Sequence, residues 1–211
     1  MKLLYQTHSP YARKVLVAAH EMGLQNELEV VHHETSPTRR NEAVFALNPL
    51  GKVPVLICND GTVLYDSNVI CEYLDGLHTG TKLIPAEPGA RWHALKWQAL
   101  AQGIADAGIA ARWEAVRRPE ELRWPTMHTG QIQKIAATCA WLETRLDAWL
   151  VAGSSGSPDI GAIALVTALS WIEFRQVYDF SSGRPHLARW YQTLSGRPAM
   201  RATALTGETH D

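Results

Sequence analysis

After residue 77 this chain contains no strand-like segment, whereas before it strands and helices alternate. That change of pattern constrains the fold more than any other feature, because any sheet must be built from the first 77 residues. "KLLYQ" (2–6) reads as a short strand. Residues 10–22 carry Val15, Leu16, Ala18, Ala19 and Met22 at helical spacing, and Gly23 ends the run. "ELEVVHHE" (27–34) alternates like a half-buried strand. "VPVLIC" (53–58) and "TVLY" (62–65), joined through Asp60-Gly61, predict a hairpin. "SNVICEYLDGL" (67–77) predicts a helix opened by a serine cap. The order β-α-β, an irregular stretch, then β-β-α is that of a small α/β layer.

"HTGTKLIPAEP" (78–88) is rich in turn residues and reads as a linker. Residues 89–117, 126–150, 158–178 and 185–195 then read as helices, broken by "RRPEELRWP", "AGSSGSP" and "SSGRP". Seven of the eight tryptophans, all but Trp124, fall within these spans and are expected to fill a helical core. The expected division is 1–77, 78–88 and 89–211. A hydrophobic content of 46% suffices for packed cores in both parts. The formal charge of −1 shows no basic excess for nucleic acid. Cys58, Cys71 and Cys139 fit neither a zinc pattern nor a disulfide framework, so a reduced, cytoplasmic setting is expected, without metal. Residues 1–6 lack a signal-peptide profile, and no apolar run has the length of a membrane span.

The chemistry concentrates at junctions. In "THSPYARK" (7–14), Ser9-Pro10-Tyr11-Ala12 stands at the strand-to-helix turn where thioredoxin-like redox proteins carry a C-P-x-C dithiol. As an N-cap, Ser9 would contribute about 1 kcal/mol. The same place could also stabilise a thiolate that another molecule supplies, through the helix terminus and one hydroxyl hydrogen bond. Lowering a thiol pKa by two units needs roughly 2.7 kcal/mol. In "NPLGKVPVL" (48–56), Pro54 either starts a strand or follows a cis bond that turns the Val53 backbone toward a peptide ligand. In "LYDSNVI" (64–70), Asp66 and Ser67 either cap a helix or hold an ammonium and a carboxylate. Lys52 and Arg40 add cations for a terminal carboxylate. A thiolate pocket, a backbone clamp and an amino-acid clamp, in chain order, describe glutathione.

With these motifs in this order the sequence resembles the cytosolic glutathione transferases over nearly its whole length, and "SP-x-x-RK" resembles a bacterial serine-type subgroup. The resemblance implies an α/β N-terminal thioredoxin-like domain followed by an all-α C-terminal helical domain. It assigns thiolate stabilisation to Ser9, the backbone clamp to Val53 beside a cis Pro54, and the γ-glutamyl end to Asp66 and Ser67. Lys52 would reach the glycine side or the backbone of the ligand, and Arg40 would add a second cation there. It also implies a homodimer.

The sequence departs from that pattern in two places. Asp66 stands where many relatives have a longer Glu. Gly156 stands where a Ser or Thr usually caps the helix that begins at Asp159-Ile160, leaving Ser155 or Ser157 to replace it. Tyr5 is the rival thiolate partner to Ser9, but it lies inside the first strand. His8, Tyr11, Ile104 and Trp113 are candidates for lining a second-substrate pocket, although helix packing would equally explain Ile104 and Trp113. The implied reaction joins glutathione to a small, apolar electrophile. Peroxide reduction, isomerisation, dehalogenation and non-catalytic binding are the alternatives.

Overall fold

The computed structural model describes residues 1–146 and 156–207. Its first part runs β1 (Lys2–Tyr5), α1 (Pro10–Glu21), β2 (Glu29–His32), α2 (Glu42–Phe45), β3 (Val55–Ile57), β4 (Val63–Leu64) and α3 (Ser67–Leu77). The four strands form one sheet in the order β2-β1-β3-β4, with β1 parallel to β2 and antiparallel to β3, and β3 antiparallel to β4. Successive side chains of a strand point to opposite faces. Leu3, paired with Leu56, therefore joins the main core, while Leu4, paired with Val55, packs with Val44 and Val53 on the other side.

Three expectations change here. Residues 27–34 do not form a half-buried strand: β2 is an edge strand with only β1 beside it, and Val30 is 41% exposed. Pro54 lies just before β3 rather than inside it, so a central strand loses no ladder donor. The cap of α3 is Asp66, whose Oδ1 accepts from Asn68 N at 2.9 Å, and Ser67 is the first helical residue. Either oxygen-bearing side chain can cap, and the acid stands one residue earlier.

The remaining described residues form the helices α4 (Pro88–Arg112), α5 (Pro125–Glu143), α6 (Ile160–Phe174), α7 (Pro185–Ser195) and α8 (Pro198–Ala202), with a π-helical turn, Trp113–Arg117, extending α4. The last residues of the helix expected over 126–150, along with Trp149 and Ser155, lie outside the described residues. Every residue of α6 from Ile160 to Ile172 is buried, as expected for a helix that is apolar all round. It starts against α4 at Gly161, where a Cβ would come within 2.7 Å of the Ala94 carbonyl oxygen, a spacing only glycine permits. The capping role expected of Ser155 or Ser157 is filled by Asp159, whose Oδ1 accepts from Ala162 N at 2.8 Å. Trp97, Trp171 and Trp190 fill the core, but Trp92 is 68% exposed, contrary to expectation.

The α/β part and the helical part share one continuous core, in which Val15 and Ala18 of α1 belong to the same cluster as Ile163 and Leu169 of α6. Polar bonds stitch the seam. The buried Arg13 guanidinium donates to Ser170 Oγ at 2.6 Å and to the Met200 carbonyl at 2.9 Å. Trp171 Nε1 donates to the His8 carbonyl at 2.9 Å. The Asp75 carboxylate accepts from the backbone of Leu83 and Ile84, which ties down the segment between the parts. Among the described residues no helix is long and apolar enough to cross a membrane, and no group of three or more His, Cys, Asp or Glu could hold a metal ion.

Candidate functional site

A cleft of about 790 Å³ lies between the sheet's helical junctions and helices α4 and α6. Its first wall is made of chain turns. Pro10 suits the first position of α1, where an N–H would have no helical partner. Ser9, immediately before it, has extended backbone, and its Oγ accepts from Ala12 N at 3.2 Å. Capping uses a lone pair of that oxygen and leaves the O–H proton as a donor. The two readings of Ser9 are thus chemically compatible. Ser9 is 8% exposed and lines the cleft.

The loop before β3 supplies the second part of this wall. Buried Asn48 shapes it, accepting from Leu50 N at 3.0 Å and donating to the Lys52 carbonyl at 2.9 Å. Gly51 has φ +62°, and a Cβ there would sit 2.2 Å from the Phe45 ring. The Val53-Pro54 bond is cis. Pairing of β3 with β1 starts only at Val55, so Val53 stands outside the ladder, on the cleft wall. Lys52 and Arg40 also line the cleft, with Arg40 lying over the Phe45 ring at 3.7 Å and donating to Glu42 at 2.6 Å.

The third part is the start of α3. Asp66 is exposed, Ser67 is buried, and both line the cleft. Capping occupies Asp66 Oδ1, and the carboxylate keeps a second oxygen. Behind this point Lys14 Nζ donates to Asn68 Oδ1 at 2.6 Å, and Asn68 Nδ2 donates to Gln102 Oε1 at 2.8 Å. This chain binds α1, α3 and α4 together. Burial pushes the Lys14 ammonium below its usual pKa, against the opposing pull of nearby Cys71, Asp66 and Asp106.

The second wall is made of side chains from the helices. Gln102, Asp106, Ile109 and Trp113 recur on one face of α4 and its extension, and Trp171 comes from α6. Ile104, expected here, is 2% exposed in the core and does not line the cleft. Nine residues at about 100° each place Ile104 half a turn away from Trp113. His8 and Tyr11 do line it. The Tyr11 hydroxyl donates to Asp106 Oδ1, bridging the walls. Burial first, and this bond second, raise the Tyr11 phenol far above its usual pKa and keep it neutral. Tyr5 is absent from the lining: it packs against the core and meets the His32 ring edge-on at 5.7 Å.

Among the described residues, five cationic side chains and two carboxylates line the cleft. Arg112, Arg117 and Arg175, together with Trp171 and Asn48, were not among the residues expected from the sequence. The chain's own thiols are poorly suited to react. Burial raises Cys71 and Cys139 to about 11, and all three cysteines are buried. Chemically the cleft can receive an anionic sulfur at a helix start, pair with a peptide backbone at Val53 and hold an α-amino acid at α3.

Comparisons with known proteins agree with this architecture. Residues 8–77 match the model of the glutathione S-transferase N-terminal domain, and residues 98–193 match that of the C-terminal domain. The uncharacterized GST-like protein YibF of Escherichia coli (strain K12) is 30% identical over 96% of this chain and 98% of its own. Glutathione S-transferase GstB of the same strain is 27% identical over 95% of each chain. A glutathione transferase family member from Pseudomonas fluorescens Pf-5, solved with bound glutathione, is 40% identical, covers 98% of this chain and 99% of that one, and superposes with a TM-score of 0.91.

Proposed function

The chain belongs to the glutathione S-transferase family, and from that premise we propose that it makes the thiol of glutathione anionic at Ser9 and directs it at a small electrophile. The glutathione sulfur would lie at the start of α1, accepting the Ser9 O–H. The cysteinyl backbone would pair with Val53, and Asp66 and Ser67 would hold the γ-glutamyl end. Lys52 and Arg40 would face the glycine carboxylate. The thiol proton passes to water. The sulfur then forms a carbon–sulfur bond as the electrophile's leaving group departs with its electron pair. The protein contributes proximity and anion stabilisation, and no side chain bonds covalently to substrate.

The observation that carries this reading is the convergence of three chain turns on one cleft: the Ser9 cap, Val53 outside the ladder, and the start of α3. The test is calorimetry with reduced glutathione followed by turnover of 1-chloro-2,4-dinitrobenzene. The expected outcome is millimolar or tighter binding and saturable conjugation. Binding without turnover of any electrophile would favour a non-catalytic binding protein. Turnover of hydroperoxides or haloacids in place of conjugation would favour the peroxidase or dehalogenase alternatives.

The same reading places the chain in the serine-type bacterial subgroup and divides it at 1–77, 78–88 and 89–211. It assigns the protein to the cytoplasm, with detoxification as its role, as three unpaired buried cysteines suit a reducing compartment. A homodimer fits the outer face of α3, where Val69, Tyr73 and Leu77 stand one turn apart and are 46%, 36% and 48% exposed. Sedimentation at micromolar concentration would read the mass directly.

A further inference from the structure

On the reading that glutathione occupies the first wall, we propose that Gln102 of α4 donates to the γ-glutamyl carboxylate, held in that orientation by a one-way chain of hydrogen bonds from Lys14 through Asn68. Gln102 touches the substrate, and Lys14 and Asn68 are positioning residues behind it.

The direction of the chain follows from the chemistry of its first member. Lys14 of α1 is 4% exposed, and its Nζ donates to Asn68 Oδ1 at 2.6 Å. An ammonium group has three N–H donors and no acceptor. It therefore fixes which end of the Asn68 amide faces it, the oxygen toward Lys14 and the nitrogen away. Asn68 Nδ2 then donates to Gln102 Oε1 at 2.8 Å. That bond engages the acceptor of Gln102, so what Gln102 offers the cleft is its amide N–H pair. Gln102 is half-buried and lines the cleft, whereas Lys14 and Asn68 do not. A tie between three helices needs neither a fixed polarity nor a member in the cleft wall. This chain starts on a buried charge and ends on donors at the wall, and each bond polarises the next.

Position selects the ligand group. Asn68 is the second residue of α3, so Gln102 lies one side-chain bond from the helix start that receives the γ-glutamyl end. That start has few donors to spare. Asn68 N is spent on the Asp66 carboxylate, and Ile70 N on the Asp66 carbonyl. A carboxylate held there by Ser67 has further lone pairs to fill, and an amide N–H is a suitable donor to it. The rest of the α4 wall lies farther from this end. Asp106, one turn on, accepts from Tyr11, and Ile109 stands seven residues, about 10 Å, along the helix from Gln102. Glutathione thus takes Gln102 from the helical wall, and the second substrate takes the part beyond Asp106.

The test removes the carboxylate from the ligand as well as its partner from the protein. The probes are glutathione and 4-aminobutyryl-cysteinylglycine, the same tripeptide without the γ-glutamyl carboxylate, and calorimetry gives each Kd. Gln102→Leu should weaken glutathione about tenfold and change the analogue less than about twofold. In turnover of 1-chloro-2,4-dinitrobenzene the loss should fall mainly on the glutathione KM. Binding of the analogue to the same variant shows that the variant is folded. Asn68→Asp replaces the donor to Gln102 with an acceptor, which turns the Gln102 carbonyl oxygen toward the cleft. It should cut the preference for glutathione over the analogue about tenfold when made alone, and less than about twofold in the Gln102→Leu background. Equal cuts in both backgrounds would mean that the added charge acts by itself, and the relay is overturned. If Gln102→Leu weakens both ligands alike, or neither, Gln102 serves only the packing of α3 on α4, and the proposal is overturned while the transferase reading stands. If glutathione does not bind the wild-type protein, the transferase reading fails first, and this proposal fails with it.

Discussion

The two walls of the cleft are built from different materials. The wall from the α/β part presents backbone groups and caps: the start of α1, the unpaired edge at Val53, the start of α3. The wall from the helical part presents side chains: Trp113, Trp171, Asp106 and three arginines. Backbone N–H and C=O groups have the same chemistry whatever side chain they carry. A site made from them suits a ligand that does not change. A site made from side chains can be retuned one residue at a time, which suits a variable second substrate.

The largest expected effect breaks the first wall at its reactive end. Ser9→Ala removes one hydrogen bond to an anion, worth about 1.5–3 kcal/mol, so kcat should fall roughly 10- to 100-fold. The glutathione KM should move little. Hydrogen bonding to the charged form lowers a thiol's pKa, so its loss raises that pKa. The pH–rate midpoint should therefore shift upward, by about one unit or more. An unchanged profile would leave Ser9 with only its cap to Ala12, whose loss costs about 1 kcal/mol of stability.

The next effect tests whether the walls depend on one seam. Arg13→Met deletes a buried guanidinium and leaves the Met200 carbonyl without its donor. Stability should drop by about 2–3 kcal/mol in urea unfolding, a cost set by the unpaired buried group. A midpoint equal to wild type would mean that apolar packing of α1 on α6 suffices to hold the walls together. Arg13 and its neighbour Lys14 also give the "RK" of the sequence a physical meaning. One anchors α1 to the helical part and the other anchors it to α3.

The contrast between the walls also explains what could be read from the sequence. The first wall was legible because its signals are local. A serine before a proline, a proline after Lys52-Val53, and an acid before a helical run each describe a turn within a few residues. Even there, the acid and serine at 66 and 67 exchanged the expected capping role. The loop's organiser, Asn48, went unread because its bonds to Leu50 and Lys52 emerge only once the chain turns. The second wall was largely illegible because its partners are far apart in the chain. Tyr11 meets Asp106, and His8 meets Trp171, only through the packing of α1 on the helices. Helical phase could have removed Ile104, since Trp113 belongs to the opposite face. The stripe Gln102, Asp106, Ile109, Trp113, with two polar members inside an otherwise alanine-rich helix, was the available signal.

A smaller effect separates charge from cap on the first wall. Asp66→Asn keeps a good N-cap and removes the negative charge, whereas Asp66→Ala removes both. Both should raise the glutathione KM, by about three- to tenfold, because each loses the partner of the ammonium group. Only Asp66→Ala should also lose about 1 kcal/mol of stability, read from thermal or urea unfolding. If Asp66→Asn binds glutathione as tightly as wild type, the side chain serves α3 alone, and the ammonium group is held without it.

The smallest effect lies where the walls meet. Tyr11→Phe keeps the ring and deletes the hydroxyl that donates to Asp106. Asp106 is exposed, so water can replace the lost donor, and the cost should stay near 0.5–1 kcal/mol. Glutathione KM should hold, and kcat/KM for the electrophile should fall about two- to fivefold as the bridge between the two walls is lost. The phenol, held far above its usual pKa, stays protonated at any working pH, so it contributes no limb to the pH–rate curve. The Tyr11→Phe profile should therefore superimpose on wild type while the Ser9→Ala profile is displaced. A shifted midpoint in Tyr11→Phe would instead make the phenol a second donor to the thiolate. The division between a backbone wall for glutathione and a side-chain wall for its partner would then fail at this residue.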